Sequence, residues 1–254
     1  MWIDTHAHLN DDRLFPDVEM LLQRAKEQNV GLIINAAYDL ASSQRGVALA
    51  EKFSPVYTAI GLHPHDAHDY SEAFKEEMLR LARHPKVVAY GEIGLDYHYD
   101  LSPRAKQQEV FIDQIQLANE LKLPVLIHNR ESHGDMLQIL KDYPIEQGAV
   151  MHCFSGSVEF MRECINLGLY ISFAGPITFK NASKLCRVVE ATPLDRLLIE
   201  TDCPYLSPEP YRGKLNEPSQ VVWVAKRVAD IKDIPLDELE MKLEANSKSF
   251  FHLL

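Results

Sequence analysis

The chain has 254 residues, of which 46% are hydrophobic, and its 37 acidic and 26 basic residues give it a formal net charge of −11. It is long enough to bury a full core, and its acidic balance argues against a broad nucleic-acid-binding face, which would need a basic surface. A nuclease that contacts phosphates only inside a metal-bearing pocket stays compatible with this charge, because bound divalent ions reverse the local field.

The sequence contains no pattern typical of a membrane anchor or an export signal. No run approaches the ~18 apolar residues of a membrane span, and Asp4 interrupts the N-terminal apolar run where a signal peptide would continue it. Neither CxxC spacing nor a pairing framework links the four cysteines, Cys153, Cys164, Cys186 and Cys203. We therefore expect reduced thiols in a cytoplasmic protein.

Apolar strand patterns alternate with amphipathic helix patterns along the chain. The expected strands span residues 2–8, 30–35, 56–61, 87–92, 125–128, 148–152, 170–173 and 197–200. The expected helices span residues 17–29, 40–53, 72–83, 102–121, 132–143, 158–167 and 181–190, with two more between 218 and 251. In the fourth helix we expect Ser102 as the N-cap and Pro103 as the first helical residue.

This alternation determines the predicted architecture. Eight β/α units joined by short turns require parallel strands with right-handed crossovers. We therefore predict an α/β protein with a single-domain (β/α)8 TIM barrel, in which residues 1–254 form one metal-dependent hydrolase domain. A doubly wound open sheet is the alternative, but no Gly-rich phosphate-binding fingerprint follows the first strand.

Metal-competent side chains follow six of the eight predicted strands, at the barrel end where the chemistry of this fold is located. In the first strand, His6 and His8 are two residues apart and therefore point to the same face. The whole set comprises His6, His8, His63, His65, Glu92, His128, His152 and Asp202. Each alone could be a core histidine, a paired carboxylate or a turn residue, but together they predict a metal site.

The donor types indicate a catalytic site rather than a structural one. Imidazoles and carboxylates without a thiolate suit Zn, Mn or Mg. The predicted ligands are His6, His8, His128, His152, Glu92 and Asp202. Six ligands are too many for one ion with open positions, so we expect two divalent ions bridged by Glu92, a pair that generates a hydroxide and stabilises reacting oxygens. Asp202 is the expected base.

Several motifs resemble the TatD family of metal-dependent deoxyribonucleases, within the amidohydrolase-like barrels. They are Asp4-Thr5-His6-Ala7-His8-Leu9, Gly61-Leu62-His63-Pro64-His65, Gly91-Glu92-Ile93-Gly94-Leu95-Asp96-Tyr97, Pro124-Val125-Leu126-Ile127-His128, His152-Cys153-Phe154-Ser155-Gly156, Glu200-Thr201-Asp202-Cys203-Pro204-Tyr205-Leu206 and Arg212-Gly213-Lys214. The sequence departs from the family pattern at Leu215, where a further basic residue is usual, and Asn129-Arg130 fits the usual small residue and arginine only loosely.

This resemblance implies a divalent-metal-dependent 3′→5′ exonuclease that acts on DNA, and it leaves RNA open as a substrate. The expected substrate is nucleic acid, single-stranded DNA or 3′ ends. From the residues themselves we expect no membrane association, and no obligate protein partner is evident in the sequence. The resemblance assigns one metal to His6, His8, Glu92 and Asp202 and the second to Glu92, His128 and His152. It also places His63 and His65 beside the scissile phosphate, Arg130 on a phosphate, and Asp96 and Tyr97 at the pocket rim after the Glu92 turn.

Other functions use the same kind of site. An amidohydrolase acting on a small amide, lactone or aminoacyl ester is the nearest alternative, although related barrels often bridge their metals with a carboxylated lysine where this chain has Glu92. A phosphomonoesterase is a further variant. A non-catalytic barrel that binds a metal or a nucleotide would be expected to have lost some ligands, and all six positions are filled here.

Overall fold

Eight strands form one parallel sheet in the computed structural model, which describes residues 1–253. The strands are β1 (Trp2–Ala7), β2 (Val30–Ala36), β3 (Val56–Ile60), β4 (Val87–Asp96), β5 (Val125–Arg130), β6 (Ala149–Met151), β7 (Tyr170–Phe173) and β8 (Leu197–Ile199). They are hydrogen bonded in sequence order from β1 to β8, and every named pair is parallel. The sheet curls into a nearly closed barrel, which confirms the predicted (β/α)8 fold.

Helices follow the strands on the outside of the barrel. They are α1 (Val18–Glu27), α2 (Leu40–Lys52), α3 (Glu72–Leu81), α4 (Arg104–Leu121), α5 (His133–Asp142), α6 (Val158–Asn166), α7 (Ser183–Ala191), α8 (Val221–Lys232) and α9 (Leu236–Phe250). Their apolar faces pack on the outward-facing strand residues in the larger of two buried clusters. The smaller cluster fills the barrel interior with residues such as Ile34, Ala59 and Leu126, together with Phe250 and Phe251 at the end of α9.

The first and last strands are joined mainly through side chains and the segment after β8. Ala7 forms an isolated parallel bridge with Cys203, and the Thr5 hydroxyl donates to the Ile199 carbonyl oxygen at 2.9 Å. The buried Asp4 carboxylate accepts from the Thr201 backbone N–H at 2.8 Å and from the Thr201 hydroxyl at 2.6 Å. These bonds set the position of the segment that carries Asp202.

Two local predictions were wrong. β4 does not end at Glu92 but continues to Asp96, so Glu92 lies within the strand. Ser102 does not cap α4, which begins at Arg104 with Pro103 in the N-cap position. The Ser102 hydroxyl is instead buried and donates to the His65 carbonyl oxygen at 2.8 Å. A tertiary partner therefore outcompeted the local cap.

Between residues 1 and 253, none of the helices combines the length and the apolar character needed to cross a membrane. The four cysteines are free thiols in this structure, and Cys164 and Cys203 are buried.

Candidate metal centre

The predicted ligands meet at the C-terminal mouth of the barrel, around a cavity of about 570 Å³. The lining residues are His8, Tyr38, His63, His65, Asp66, Glu92, Asp96, Tyr99, His128, Arg130, His152, Asp202, Tyr205 and Leu206. His6 lies beneath this lining and is fully buried. The six strand ends that the sequence singled out therefore do converge on one site.

The Glu92 carboxylate lies at the centre of the cluster, and its two oxygens face different imidazoles. Oε2 lies 3.3 Å from His6 Nε2 and 3.7 Å from His8 Nε2. Oε1 faces three further ring nitrogens, His128 Nδ1 at 2.7 Å, His152 Nε2 at 2.8 Å and His63 Nε2 at 3.5 Å. One carboxylate thus belongs to two separate groups of donors, as a bridging ligand does.

Asp202 completes the first of these groups. Its Oδ1 lies 3.3 Å from His8 Nε2 and 3.9 Å from His6 Nε2. The residue has a positive φ of 55°, a conformation that Asp tolerates better than most residues. Its backbone N–H donates to the His6 carbonyl oxygen at 2.9 Å, which ties this turn to β1.

Two glycines of β4 allow this strand to approach β5 closely. Gly91 and Gly94 both have positive φ, 153° and 147°. A Cβ on Gly94 would lie 2.0 Å from the His128 carbonyl oxygen, and one on Gly91 would lie 2.7 Å from the Leu126 carbonyl oxygen. Because backbone atoms cannot yield to such contacts, glycine is required at both positions, and the close approach brings Glu92 within hydrogen-bonding distance of His128.

Three of the imidazoles are oriented by a partner on the ring nitrogen that faces away from Glu92. The pairs are His8 Nδ1 with the Ala36 carbonyl oxygen at 3.0 Å, His128 Nε2 with Asp96 Oδ2 at 3.1 Å and His152 Nδ1 with Glu200 Oε1 at 3.2 Å. A metal-ligating histidine nearly always donates its second N–H to a carbonyl or carboxylate in this way.

His6 supplies an independent test of whether the cluster fits a metal. Its ring is fully buried, and neither ring nitrogen forms a hydrogen bond among the described residues, since the Glu92 carboxylate 3.3 Å from Nε2 lacks hydrogen-bond geometry. Burial, together with the neighbouring His152, lowers the pKa of His6, so its stable form is the neutral imidazole that metal ligation requires. The donor atoms of His6, His8 and Glu92 lie within 4.8 Å of one another. The cluster therefore fits a divalent cation.

The carboxylates of the cluster are ionised at neutral pH. Burial raises the pKa of Glu92, but the surrounding imidazoles, led by His152 and His63, lower it by more, and the pKa lies well below its usual value. Burial also opposes ionisation of Asp202, and its hydrogen bond with His8 and the nearby imidazoles lower its pKa below the usual range. Both groups are thus available as anionic ligands.

His63 and His65 occupy different environments. His63 belongs to the cluster, since its donor atom lies within 4.8 Å of those of Glu92 and His128. Burial beside His128 lowers its pKa to about 4, so His63 is a neutral imidazole at pH 7 and a further group able to hold a metal. His65 Nε2 instead lies 2.9 Å from Asp96 Oδ2.

Two of the three residues expected to bind substrate, Asp96 and Tyr97, differ from the prediction in their positions. Asp96 does not follow a turn at the rim: it ends β4, is fully buried, and its Oδ2 lies between His65 and His128. Tyr97 is absent from the cavity lining, because its hydroxyl donates to Asp135 at 2.7 Å. Arg130 lines the cavity, and its guanidinium lies 4.7 Å from the centre of the Tyr99 ring.

The sequence analysis did not single out six residues at the site, namely Glu200, Tyr38, Asp66, Tyr99, Tyr205 and Leu206. Glu200 orients His152. It directly follows β8 and lies two residues before Asp202, so its position could have indicated that it reaches the same site. Tyr38, Tyr99 and Tyr205 line the cavity, with Tyr99 55% and Tyr205 48% exposed. No local pattern distinguishes these tyrosines from surface ones.

A barrel with a buried imidazole–carboxylate cluster at its catalytic mouth defines a metal-dependent hydrolase. A model of the family described as TatD related DNase matches residues 3–252. The chain therefore belongs to the TatD family, as its motifs implied.

Individual relatives agree with this assignment. The chain is 46% identical over 254 residues to an uncharacterized metal-dependent hydrolase of Bacillus subtilis, YabD, and the match covers all of both chains. It is 34% identical over 255 residues to the 3′-5′ ssDNA/RNA exonuclease TatD of Klebsiella pneumoniae, covering 98% of this chain and 97% of the relative. The crystal structure of YjjV, a TatD homologue from Escherichia coli K12, superposes with a TM-score of 0.95 at 36% identity, covering 100% of this chain and 98% of that one.

Proposed function

We propose that this hydrolase is a 3′→5′ exonuclease that removes nucleotides from single-stranded DNA, with two divalent metal ions bridged by Glu92. The observation that carries the proposal is the placement of the two Glu92 oxygens against separate imidazole groups. A bridging carboxylate suits a pair of ions ~4 Å apart, the arrangement used for phosphodiester hydrolysis. The Klebsiella pneumoniae relative is named a 3′-5′ ssDNA/RNA exonuclease, which supports a nucleic-acid substrate.

The ligands divide into two sets in this proposal. His6, His8, Glu92 and Asp202 would hold one ion, and Glu92, His128 and His152 would hold the other, with His63 close enough to join the second set. When bound, the ions supply a nucleophile at neutral pH and neutralise charge on the phosphate oxygens.

In the proposed reaction, Asp202 and His65 carry out opposite proton transfers. Asp202 lies at the His8 end of the cluster, and its ionised carboxylate accepts the proton of the attacking water. His65 lies at the His128 end, where the Asp96 carboxylate fixes its ring, and it donates a proton to the leaving 3′ oxygen. Asp96 is in this scheme a positioning residue rather than a group that binds substrate.

Groups at the cavity rim bind the substrate without reading its sequence. The fork of Arg130 can bind a phosphate through two parallel hydrogen bonds. Tyr99 and Tyr205 offer exposed ring faces on which bases of any identity can stack. An overall charge of −11 is compatible with this mode because the phosphate contacts lie within the metal-bearing cavity.

The test is digestion of 5′-labelled single-stranded DNA by metal-stripped protein with and without added Mg²⁺ or Mn²⁺. We expect stepwise shortening from the 3′ end that requires the metal. Asp202→Asn should lower kcat by at least ~100-fold, because a general base contributes about 10²- to 10⁴-fold. Asp195→Asn, at an exposed carboxylate on the opposite face of the barrel, is the matched control and should retain full activity.

Two results would contradict the proposal. Internal cleavage without 3′ shortening would exclude an exonuclease. Absence of any cleavage by metal-loaded protein, with hydrolysis of small amides, lactones or aminoacyl esters instead, would assign the site to amidohydrolase chemistry.

A further inference from the structure

A second cavity of about 850 Å³ lies between the N-terminal turns of α6 and α7. Its lining includes Arg162 of α6, Lys184 and Arg187 of α7, and the loop residues Ser155 and Gly156. We call it the α6–α7 groove. Neither the predicted metal ligands nor the rim residues of the catalytic cavity belong to it.

The groove lies on the same face of the barrel as the catalytic cavity. Helices that follow parallel barrel strands begin at the face where those strands end, so the first turns of α6 and α7 border the catalytic mouth. Two chain segments connect the cavities: Ser155 is three residues after His152, and His133, which also lines the groove, is three residues after Arg130. Three residues span at most ~11 Å, so the cavities are neighbours.

The charge of the groove is opposite to that of the whole molecule. Arg162, Lys184 and Arg187 are exposed, and none of them has a carboxylate oxygen within 4.0 Å in the described part of the chain. Glu159 is the one acidic residue of the lining, and it is fully exposed. Three cations without ion-pair partners on a chain of net charge −11 form a local site for an anion.

The backbone and the floor of the groove favour the same kind of ligand. No described side chain caps the N-terminus of α7, whose N-cap residue is Ala182, so its first N–H groups remain available. The half-buried His133 ring packs on Phe160 with 4.2 Å between ring centres and faces the groove with its remaining surface. Cations beside a flat ring are the combination that single-stranded nucleic acids recognise.

We propose that the α6–α7 groove binds the phosphate backbone of the DNA strand upstream of the nucleotide being removed. This inference rests on the proposed exonuclease function, because only a substrate that extends beyond the catalytic cavity can reach the groove. The contacts are to phosphates and a ring face, so they increase the affinity for long strands without adding sequence preference.

The experiment compares kinetics on a dinucleotide and on a single-stranded dodecamer, both with metal-loaded enzyme. The variant replaces the three cations together, Arg162→Gln, Lys184→Gln and Arg187→Gln. The control replaces three exposed cations at the opposite face, Lys26→Gln, Lys52→Gln and Arg83→Gln, and changes the net charge equally. The dinucleotide is too short to reach the groove and reports on the catalytic cavity alone.

We expect KM for the dodecamer to rise ~10- to 100-fold in the groove variant, while kcat and the kinetics on the dinucleotide stay unchanged. The slope of log KM against log salt should fall by about 2, since each phosphate contact to a single strand contributes ~0.7. The control variant should match the wild type on both substrates.

Equal effects of the groove and control variants on the dodecamer would overturn the groove assignment. A rise in KM for the dinucleotide as large as that for the dodecamer would also overturn it, because the cations would then act on the catalytic cavity or on folding. If the wild-type enzyme cleaves neither substrate, the exonuclease proposal itself fails and the groove proposal fails with it.

Discussion

The Glu200 carboxylate lies behind the His152 ring, where it sets the orientation of a predicted metal ligand. Its Oε1 accepts from the Cys153 backbone N–H at 2.8 Å and pairs with His152 Nδ1 at 3.2 Å. We expect Glu200→Gln to weaken Mn²⁺ binding ~10- to 100-fold, as is typical when such an orienting partner is lost. Isothermal titration calorimetry on metal-stripped protein measures this directly.

The control is Glu163→Gln, since Glu163 is an exposed carboxylate whose ion pair with Lys141 is 3.4 Å long. An unchanged Mn²⁺ affinity in the Glu200 variant would show that the glutamate does not act through His152.

Tyr205 lines the cavity, and we propose that it stacks on a base of the substrate. Its ring is 48% exposed at the cavity rim, with the Arg13 guanidinium 4.5 Å from its centre. Stacking of a base on an aromatic ring contributes about 1–3 kcal/mol, so Tyr205→Ala should raise KM for single-stranded DNA ~5- to 150-fold with little change in kcat. Steady-state kinetics on oligonucleotides measures both parameters.

Two comparisons separate stacking from other effects of this change. Tyr205→Phe keeps the ring and should behave like the wild type, and Tyr143→Ala, at a tyrosine 38% exposed outside the cavity lining, should have no effect. If Tyr205→Ala raised KM equally for a substrate that lacks the terminal base, stacking on that base would be ruled out.

At the residue scale, the sequence was informative where a role follows from position on a strand. His6 and His8 share a face because strand side chains alternate, and the structure does bring them to the same carboxylate. The rim could not be predicted in this way. Because β4 continues to Asp96, the chain leaves the strand later than expected, and Tyr99 rather than Tyr97 faces the cavity.

At the scale of elements, the junction between β1 and β8 is the point where the barrel is least supported by backbone pairing. The Thr201 hydroxyl donates to the buried Asp4 carboxylate and accepts from the Cys203 backbone N–H at 3.2 Å. Thr201→Val removes both bonds and leaves a buried carboxylate oxygen unsatisfied, so we expect a loss of ~1–3 kcal/mol in the free energy of unfolding. Urea denaturation in the presence of a chelator measures this without a contribution from metal.

Thr201→Ser retains the hydroxyl and should lose less than half as much stability. If the valine variant were as stable as the wild type, the Asp4–Thr201 contact would contribute nothing to closure of the barrel.

The order and type of the main elements could be predicted because hydrophobic period and turn residues are local signals. The prediction that Ser102 caps α4 was wrong because the partner of its hydroxyl is not local. Its hydroxyl bonds to the carbonyl oxygen of His65, which is 37 positions away in sequence. A cap rule considers only the next few residues, so it cannot anticipate a tertiary partner of this kind.

At the scale of the whole molecule, the metal centre connects strands from both halves of the barrel, so metal binding should stabilise the fold. A ligand that binds only the native state contributes about 2.7 kcal/mol at a concentration 100 times its Kd. For a chain of this size we expect Tm to fall by roughly 5–10 °C when a chelator removes the metal, and to recover when Mn²⁺ is restored. Differential scanning calorimetry measures both steps.

Glu92→Gln replaces the carboxylate shared by the two donor groups and should abolish most of this response. A Tm that is indifferent to the chelator in the wild-type protein would contradict a metal centre that links the strands.

Net charge is also a property of the whole molecule, and it does not reveal the basic lining of the α6–α7 groove. The sum of −11 correctly predicts an acidic protein, but Arg162 comes from α6 and Lys184 and Arg187 come from α7. Only the folded arrangement brings these cations into one groove, because their distance along the chain says nothing about the packing of neighbouring helices.

The separation of the ligands along the chain also bears on how the protein is made. His6 and His8 are among the first residues to be synthesised, whereas Asp202 follows β8, the last strand of the barrel. A nascent chain on the ribosome can therefore bring the two histidines near Glu92 but cannot complete the first donor group until Asp202 has emerged. A chain truncated before β8 should therefore lack Asp202 and with it the complete first donor group, although it contains Glu92, His128 and His152 of the second group.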